Sequence, residues 1–146
     1  MKYDELTPDY KFFSSSLDEI LAPSGTIEAY DKILKVNREH PIVLEESIRV
    51  LTIYVMFNAE GLDLKRTLLR YIFGHNHQNE RIRRICLWAI DKLGLLATKD
   101  KKRDVIEIKR KSKRLVANGL KDANSSVRDM AKNIIVKYPK QFIKIL

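Results

Sequence analysis

The chain has 146 residues, of which 45% are hydrophobic and 32% are charged, so we expect a folded protein rather than a disordered chain. A single cysteine excludes an internal disulfide. The longest apolar run, near Val50 to Phe57, is too short to span a bilayer, and the acidic N-terminus lacks the apolar core of a signal peptide. A cytoplasmic location is therefore expected. Residues 1–73 carry 9 Lys and Arg against 12 Asp and Glu, whereas residues 74–146 carry 19 against 7, which indicates an anionic partner for the second half.

Apolar residues at helical spacing, separated by Gly and Pro stop signals, predict helices along the whole chain. The first, within residues 1–25, is short and amphipathic and is expected to cap the fold. The helices that follow are predicted over residues 26–37, 41–57, 62–73, 79–93, 103–118 and 124–137. The last apolar residues are expected to fold back over the end of the structure, and these are Phe142, Ile143, Ile145 and Leu146.

The helix predicted over residues 41–57 is apolar on nearly every side. Such a helix is either buried all round or exposes a face to a partner chain. We therefore expect burial, mainly by the N-terminal helix, with a homodimer through this helix as the alternative.

A repeated pattern links the last two thirds of the chain. Residues 79–93 recur in character as residues 124–138, at an offset of 45, and a weaker copy lies 39 residues upstream of the first. A period of this size is typical of stacked helical hairpins. The repeat predicts three equivalent buried pairs, which are Ile82 with Val127, Cys86 with Ala131, and Ala89 with Ile134.

The repeated helix resembles the second helix of HEAT repeats, which opens with Asp or Asn and then V-R-x-x-A. Val127, Arg128 and Ala131 fit that motif, and Ile82, Arg83 and Cys86 nearly fit it. The upstream copy departs from it, with Leu44 at the arginine position.

The resemblance implies an all-α, right-handed α-solenoid of about three hairpins, in which the two motif arginines bind loop acids in a structural role. The implied single domain, 1–146, divides into a cap (1–25), three repeats (26–57, 62–94 and 103–139) and a tail (140–146).

One cationic cluster lies on the helix predicted over residues 79–93, opposite its apolar arc. A tryptophan between cations on a solvent face suits nucleic acid, because bases or sugars contact the ring while phosphates contact the guanidinium groups. Cation–π pairing of Arg84 with Trp88, or packing of Trp88 under the 95–103 loop, are the structural alternatives. The residues of this cluster are Arg81, Arg84, Trp88 and Lys92.

A second cluster follows in residues 99–114, which hold nine Lys and Arg against three acids. Such a face predicts binding of phosphates or of an acidic protein, although a merely basic surface is the alternative. Its candidate binding residues are Lys101, Lys102, Arg103, Lys109, Arg110, Lys113 and Arg114. We expect a non-enzymatic module that binds DNA or RNA through phosphates, with an adaptor for an acidic protein as the alternative. In a HEAT-like stack the two clusters lie on different helices of the pairs, so one shared face is in doubt.

Other chemistry has little support in the sequence. His75 and His77 lack a third metal ligand nearby, and Cys86 holds a core position rather than that of a nucleophile. Trp88 with Asp91 is the only pair similar to the Trp and Asp that line the concave face of HEAT-like DNA glycosylases. We predict no cofactor and no metal.

Overall fold

The computed structural model describes residues 40–57, 62–74 and 77–143 of the chain. Every regular element in these ranges is helical, which confirms the all-α class there. The elements are α1 (Pro41–Phe57), α2 (Leu62–Gly74), α3 (Glu80–Lys92), α4 (Arg103–Gly119), α5 (Ser125–Lys137) and a short 3-10 helix, η1 (Pro139–Phe142). The predicted cap (1–25) and the helix predicted over 26–37 lie outside the described residues. The solenoid arrangement stays a prediction.

The chain divides into two compact units, Met1–Gly74 and His75–Leu146. The division falls inside the predicted second repeat, and the single-domain organisation stays a prediction. The first unit contains α1 and α2, and the second contains α3, α4, α5 and η1. For the five predicted helices that lie within the described residues, the predicted bounds agree with the observed ones to within a residue at each end.

In the first unit, α1 packs against α2. Helix α1 begins at Pro41, whose missing N–H needs no partner in a first turn. The side chains of Ile48 and Leu51 on α1 are fully buried, as are those of Leu68 and Ile72 on α2. The two ends of α1 are less covered, since Ile42 is 52% and Phe57 82% exposed. Eight of the seventeen residues of α1 are buried. The N-terminal helix that was expected to cover α1 lies outside the described residues, so that cover and the homodimer contact stay predictions.

In the second unit, the 45-residue repeat is visible in local structure. Asn79 and Asn124 both cap their helices, because Asn79 Oδ1 accepts one backbone N–H of the first turn and Asn124 Oδ1 accepts two. Helix α5 packs against both α3 and α4. All six residues of the predicted equivalent pairs are buried, with exposures of 4% or less: Ile82, Val127, Cys86, Ala131, Ala89 and Ile134.

Gly119, the last residue of α4, allows close packing in the middle of this unit. A Cβ built there would lie 3.0 Å from Ala131 Cβ and 3.0 Å from Leu87 Cδ1. The glycine that precedes the other copy, Gly74, has open space instead. The repeat therefore matches these two glycines in register but not in surroundings.

The C-terminal segment only partly meets its expectation. Phe142 folds back as predicted and is 1% exposed. The prediction for Ile143 is wrong, because this side chain is 70% exposed. Ile145 and Leu146 lie outside the described residues.

Candidate anion-binding surface

Helix α4 separates its apolar and cationic residues cleanly. Ser112 and Val116 are fully buried, and Ser112 Oγ donates to the Ile108 carbonyl at 2.8 Å, which satisfies the buried hydroxyl. The cations of the predicted second cluster lie away from this stripe, where Lys101, Lys102, Arg103, Arg110 and Arg114 are exposed and Lys109 and Lys113 are half-buried. The predicted cationic face of α4 is therefore solvent-accessible.

One cation of this face has an acidic partner. Glu107 Oε2 accepts from Arg110 Nε at 3.1 Å, and a second bond joins the same two groups. The hydrogen bonds from Arg110 hold the pKa of the Glu107 carboxyl below its usual value. Arg110 is thus partly neutralised, and it is a weaker candidate for phosphate contact than the lysines beside it.

A cleft of about 280 Å³ lies beside α4 within the second unit. Its wall combines apolar side chains and lysine stems, and none of its lining residues is Asp or Glu. Three separate segments of the chain contribute: Leu96 to Lys99 from the turn after α3, Lys109 from α4, and Lys137 to Gln141 from the end of α5 and η1. Four lysines therefore surround an apolar cavity without an acid in its lining.

Two of these lysines are fixed by the protein. Lys109 Nζ donates to the Thr98 carbonyl at 3.2 Å, which holds α4 to the turn after α3. Lys137 Nζ lies 2.9 Å from Asp91 Oδ1, and the Asp91 hydrogen bond raises the pKa of Lys137. The Tyr138 hydroxyl donates to the same Asp91 oxygen at 3.2 Å, so its ring is held in the wall of the cleft.

The other two lysines, Lys99 and Lys140, are exposed at the rim of the cleft. Among the described residues, neither forms an ion pair or a side-chain hydrogen bond. An ammonium group that has no internal carboxylate partner keeps its full charge for an external anion. These two lysines are therefore the most available cations of the cleft.

The predicted cluster on α3 is not brought to this cleft. Arg81, Arg84 and Lys92 are exposed and Trp88 is half-buried, but none of the four lines the cavity. Of the eleven candidate binding residues named from the sequence, Lys109 alone is in the lining, and Lys99, which begins the predicted cationic run 99–114, lines it as well. Whether the two clusters share a face stays open.

Sequence reasoning missed Lys137, Tyr138 and Lys140. A signal was present, because the 45-residue offset places Lys137 and Tyr138 at the same helix end as Lys92 and Leu93. The apolar pattern predicts a core position for Tyr138, and Pro139 is predicted to end the helix. No spacing rule on a single helix connects these positions with Lys109, which comes from α4.

The motif arginine of α3 has the structural role that the resemblance implies. Arg83 Nε lies 2.7 Å from Asp122 Oδ2, and Arg83 Nη2 lies 3.0 Å from Asp122 Oδ1. This bidentate pair joins the start of α3 to the loop before α5. Its hydrogen bonds hold the pKa of the Asp122 carboxyl below its usual value.

The residues considered for catalysis are engaged in other contacts or buried. Asp91, the acid of the glycosylase-like pair, is bonded to Lys137 and Tyr138. Burial raises the pKa of the Cys86 thiol to about 12, so it stays protonated at neutral pH and is a poor nucleophile. In the described ranges, no group of three or more His, Cys, Asp or Glu side chains is placed to hold a metal ion.

Comparisons with models of protein families, with curated proteins and with solved structures find no match to this chain. No described helix is both long enough and apolar enough to cross a membrane.

Proposed function

We propose that the second unit is a non-enzymatic binding module that holds nucleic acid through phosphate contacts. The observation that carries this proposal is the cleft, in which four lysines and no acid surround an apolar wall. The exposed cations of α4 extend the positive surface, and Lys102 and Arg103 add their charge at the start of that helix, where the backbone is already electropositive. A surface of this kind attracts a polyanion along its length.

The apolar wall favours a nucleic acid over a simple anion. Leu96, Ala97 and Pro139 offer surface that phosphate alone does not cover, and the Tyr138 ring is fixed beside them. In nucleic-acid sites, aromatic and apolar side chains contact bases and sugars while lysines contact the backbone. The cleft provides both kinds of contact within one cavity.

The test compares two pairs of exposed lysines in the same unit. The cleft variant carries Lys99→Gln and Lys140→Gln, and the control carries Lys121→Gln and Lys132→Gln, which removes the same charge outside the cleft lining. Binding of labelled single-stranded and duplex oligonucleotides is followed by fluorescence anisotropy over a series of salt concentrations.

We expect the cleft variant to bind all sequences more weakly, because phosphate contacts carry no base information. The slope of log K against log salt should fall by about 0.9 per lost phosphate contact on duplex DNA, or about 0.7 on a single strand. The control should keep most of the slope. Equal losses in both variants would assign the binding to overall charge, and failure of the native chain to bind at low salt would remove the proposal.

An acidic protein is the second candidate partner. It is favoured by the cationic edge around Arg128, which lies in the second unit but outside the cleft lining.

A further inference from the structure

The two motif arginines of the second unit make the same backbone contacts. Arg83 Nη1 donates to the carbonyls six and five residues before it, at 3.2 and 2.5 Å. Arg128 Nη1 donates to the carbonyls six and five residues before it, at 2.7 and 2.9 Å. Both guanidinium groups are therefore held in the same way against the loop that precedes their helix.

They differ at the other edge of the guanidinium group. Nε and Nη2 of Arg83 hold both carboxylate oxygens of Asp122. Nε and Nη2 of Arg128 have no hydrogen-bond partner among the described residues, although Arg128 lies close enough to Asp122 to help lower the pKa of that carboxyl. Asp122 does not serve both arginines in this way, because its two oxygens accept from Arg83 and Oδ1 also accepts the Asn124 N–H at 2.9 Å.

The residue four positions after the motif arginine is apolar in α3 and charged in α5. Leu87, four residues after Arg83, is 4% exposed and packs beside Gly119. Lys132, four residues after Arg128, is exposed. Residues four apart lie on the same side of a helix, so Arg128 and Lys132 form a cationic edge on α5. At the position equivalent to Leu87, this edge has a lysine instead of an apolar side chain on which another helix could pack.

We propose that this edge, formed by Arg128 and Lys132, is a docking site for an acidic protein, and that Arg128 binds an aspartate side chain of that protein through Nε and Nη2. The protein itself supplies the template, because the equivalent edge of Arg83 already holds an aspartate from a loop before a helix. A planar guanidinium group matches the two oxygens of a carboxylate in one plane. Lys132 favours further acidic residues around that aspartate.

The site extends the function beyond nucleic acid, since Arg128 and Lys132 do not line the lysine cleft. Its partner is defined by chemistry as an acidic segment in which Asp precedes a helix, in the order of Asp122, Ala123 and Asn124. The two sites are thus open to separate tests in one molecule.

The test uses the full chain and a synthetic peptide in which Asp-Ala-Asn begins a glutamate-rich helix. The matched peptide has Asn in place of that Asp. NMR follows the side-chain Nε–H resonances of Arg128 and Arg83 during each titration, which needs no substitution and so does not depend on a variant that folds. Affinity is measured in parallel for Arg128→Lys and for Lys132→Gln.

We expect the Asp peptide to shift the Arg128 Nε–H resonance and to leave that of Arg83 in place. Arg128→Lys, which loses the planar pair of donors, should weaken binding about tenfold, and the Asn peptide should bind the native chain about tenfold more weakly. Combining the two changes should cost little more than either alone. Lys132→Gln should weaken binding by less than about threefold, because it removes one exposed charge.

Three results would overturn the proposal. The first is an absence of binding by the Asp peptide, and the second is equal affinity for the Asp and Asn peptides. The third is an Arg128 resonance that responds to inorganic phosphate or to a single-stranded oligonucleotide but not to the Asp peptide, which would place Arg128 in the nucleic-acid surface instead.

Discussion

Two arginine–carboxylate pairs, one in each unit, contain acids whose pKa values are shifted in opposite directions. In α1, Arg49 Nη1 lies 2.6 Å from Glu46 Oε1, and in the second unit Arg83 holds Asp122 at 2.7 Å. The two acid side chains have similar exposure, 9% and 10%, but Glu46 lies deeper in the protein than Asp122 does. Nevertheless the pKa of Glu46 is raised and that of Asp122 is lowered.

Depth of burial and the number of hydrogen bonds to each carboxylate together explain the difference. Asp122 accepts from Arg83 with both oxygens and from the Asn124 N–H as well, and these bonds favour the ionised form. Burial raises the pKa of Glu46, and Arg49 does not offset it, because Arg49 is shared with Glu45. In the described residues, Glu46 Oε2 is buried without a hydrogen-bond partner. Arg49 therefore favours the ionised form of Glu46 without offsetting the effect of burial, whereas the hydrogen bonds to Asp122 outweigh the burial of that acid.

The largest expected effect comes from removal of the satisfied acid. Asp122→Ala takes three hydrogen bonds from the second unit and leaves Arg83 without its carboxylate. We expect the free energy of unfolding to fall by about 1.5–3 kcal/mol. Urea unfolding followed by Trp88, the only tryptophan and a residue of α3, reports on this unit.

The control for this change is Asp129→Ala, an exposed acid on α5, for which we expect a change within about 0.5 kcal/mol. A similarly small change for Asp122→Ala would show that the bidentate pair contributes little to stability.

The same pair predicts how the second unit responds to acid. The pKa of folded Asp122 lies below the ordinary value of 3.8, so the folded state binds its proton more weakly than the unfolded state does. Its contribution is complete above the unfolded value and is lost as pH falls through the folded value. Urea unfolding from neutral pH down to strongly acidic pH should show this loss in the native chain and not in Asp122→Ala. Parallel curves for the two proteins would contradict the assignment.

The spacing of apolar residues and the helix start and stop signals predicted the described helices well. The same signals did not predict most contacts between segments that are distant in sequence. Pro41, Asn79 and Asn124 mark three helix starts, because each acts on the backbone within its own first turn. The 45-residue offset predicted the buried positions, and the resemblance implied the structural role of Arg83. The cleft was not predicted, since its lysines come from three segments whose approach depends on packing. The prediction that Ile143 is buried was wrong, because apolar character alone does not determine whether a side chain near the end of the chain is covered.

A smaller effect is expected when the two motif arginines are compared. Arg128→Ala removes two hydrogen bonds to loop carbonyls, which water replaces at a partly exposed site, so we expect a loss of about 0.5–1.5 kcal/mol. Arg83→Ala removes the equivalent bonds and leaves Asp122 unpaired as well, so its loss should be larger. The difference between the two losses in unfolding free energy, measured by urea unfolding with Trp88 fluorescence, gives the contribution of the Arg83–Asp122 pair. Equal losses would show that the carbonyl contacts alone account for both arginines.

The smallest effect is expected at Glu46, and its pH dependence should have the opposite sign. The pKa of folded Glu46 lies above the ordinary value of 4.5, so the folded state binds this proton more tightly than the unfolded state does. Stability of α1 should therefore decline as pH rises from the unfolded value through the folded one. Glu46→Gln keeps the shape of the side chain without the charge, and we expect it to change stability at neutral pH by less than about 1 kcal/mol. It should also abolish the decline, which hydrogen exchange of the α1 amides measures across this pH range. If Glu46→Gln lowered the free energy of unfolding by well more than about 1 kcal/mol at neutral pH, the charged form of Glu46 would be stabilised in the folded protein, as that of Asp122 is.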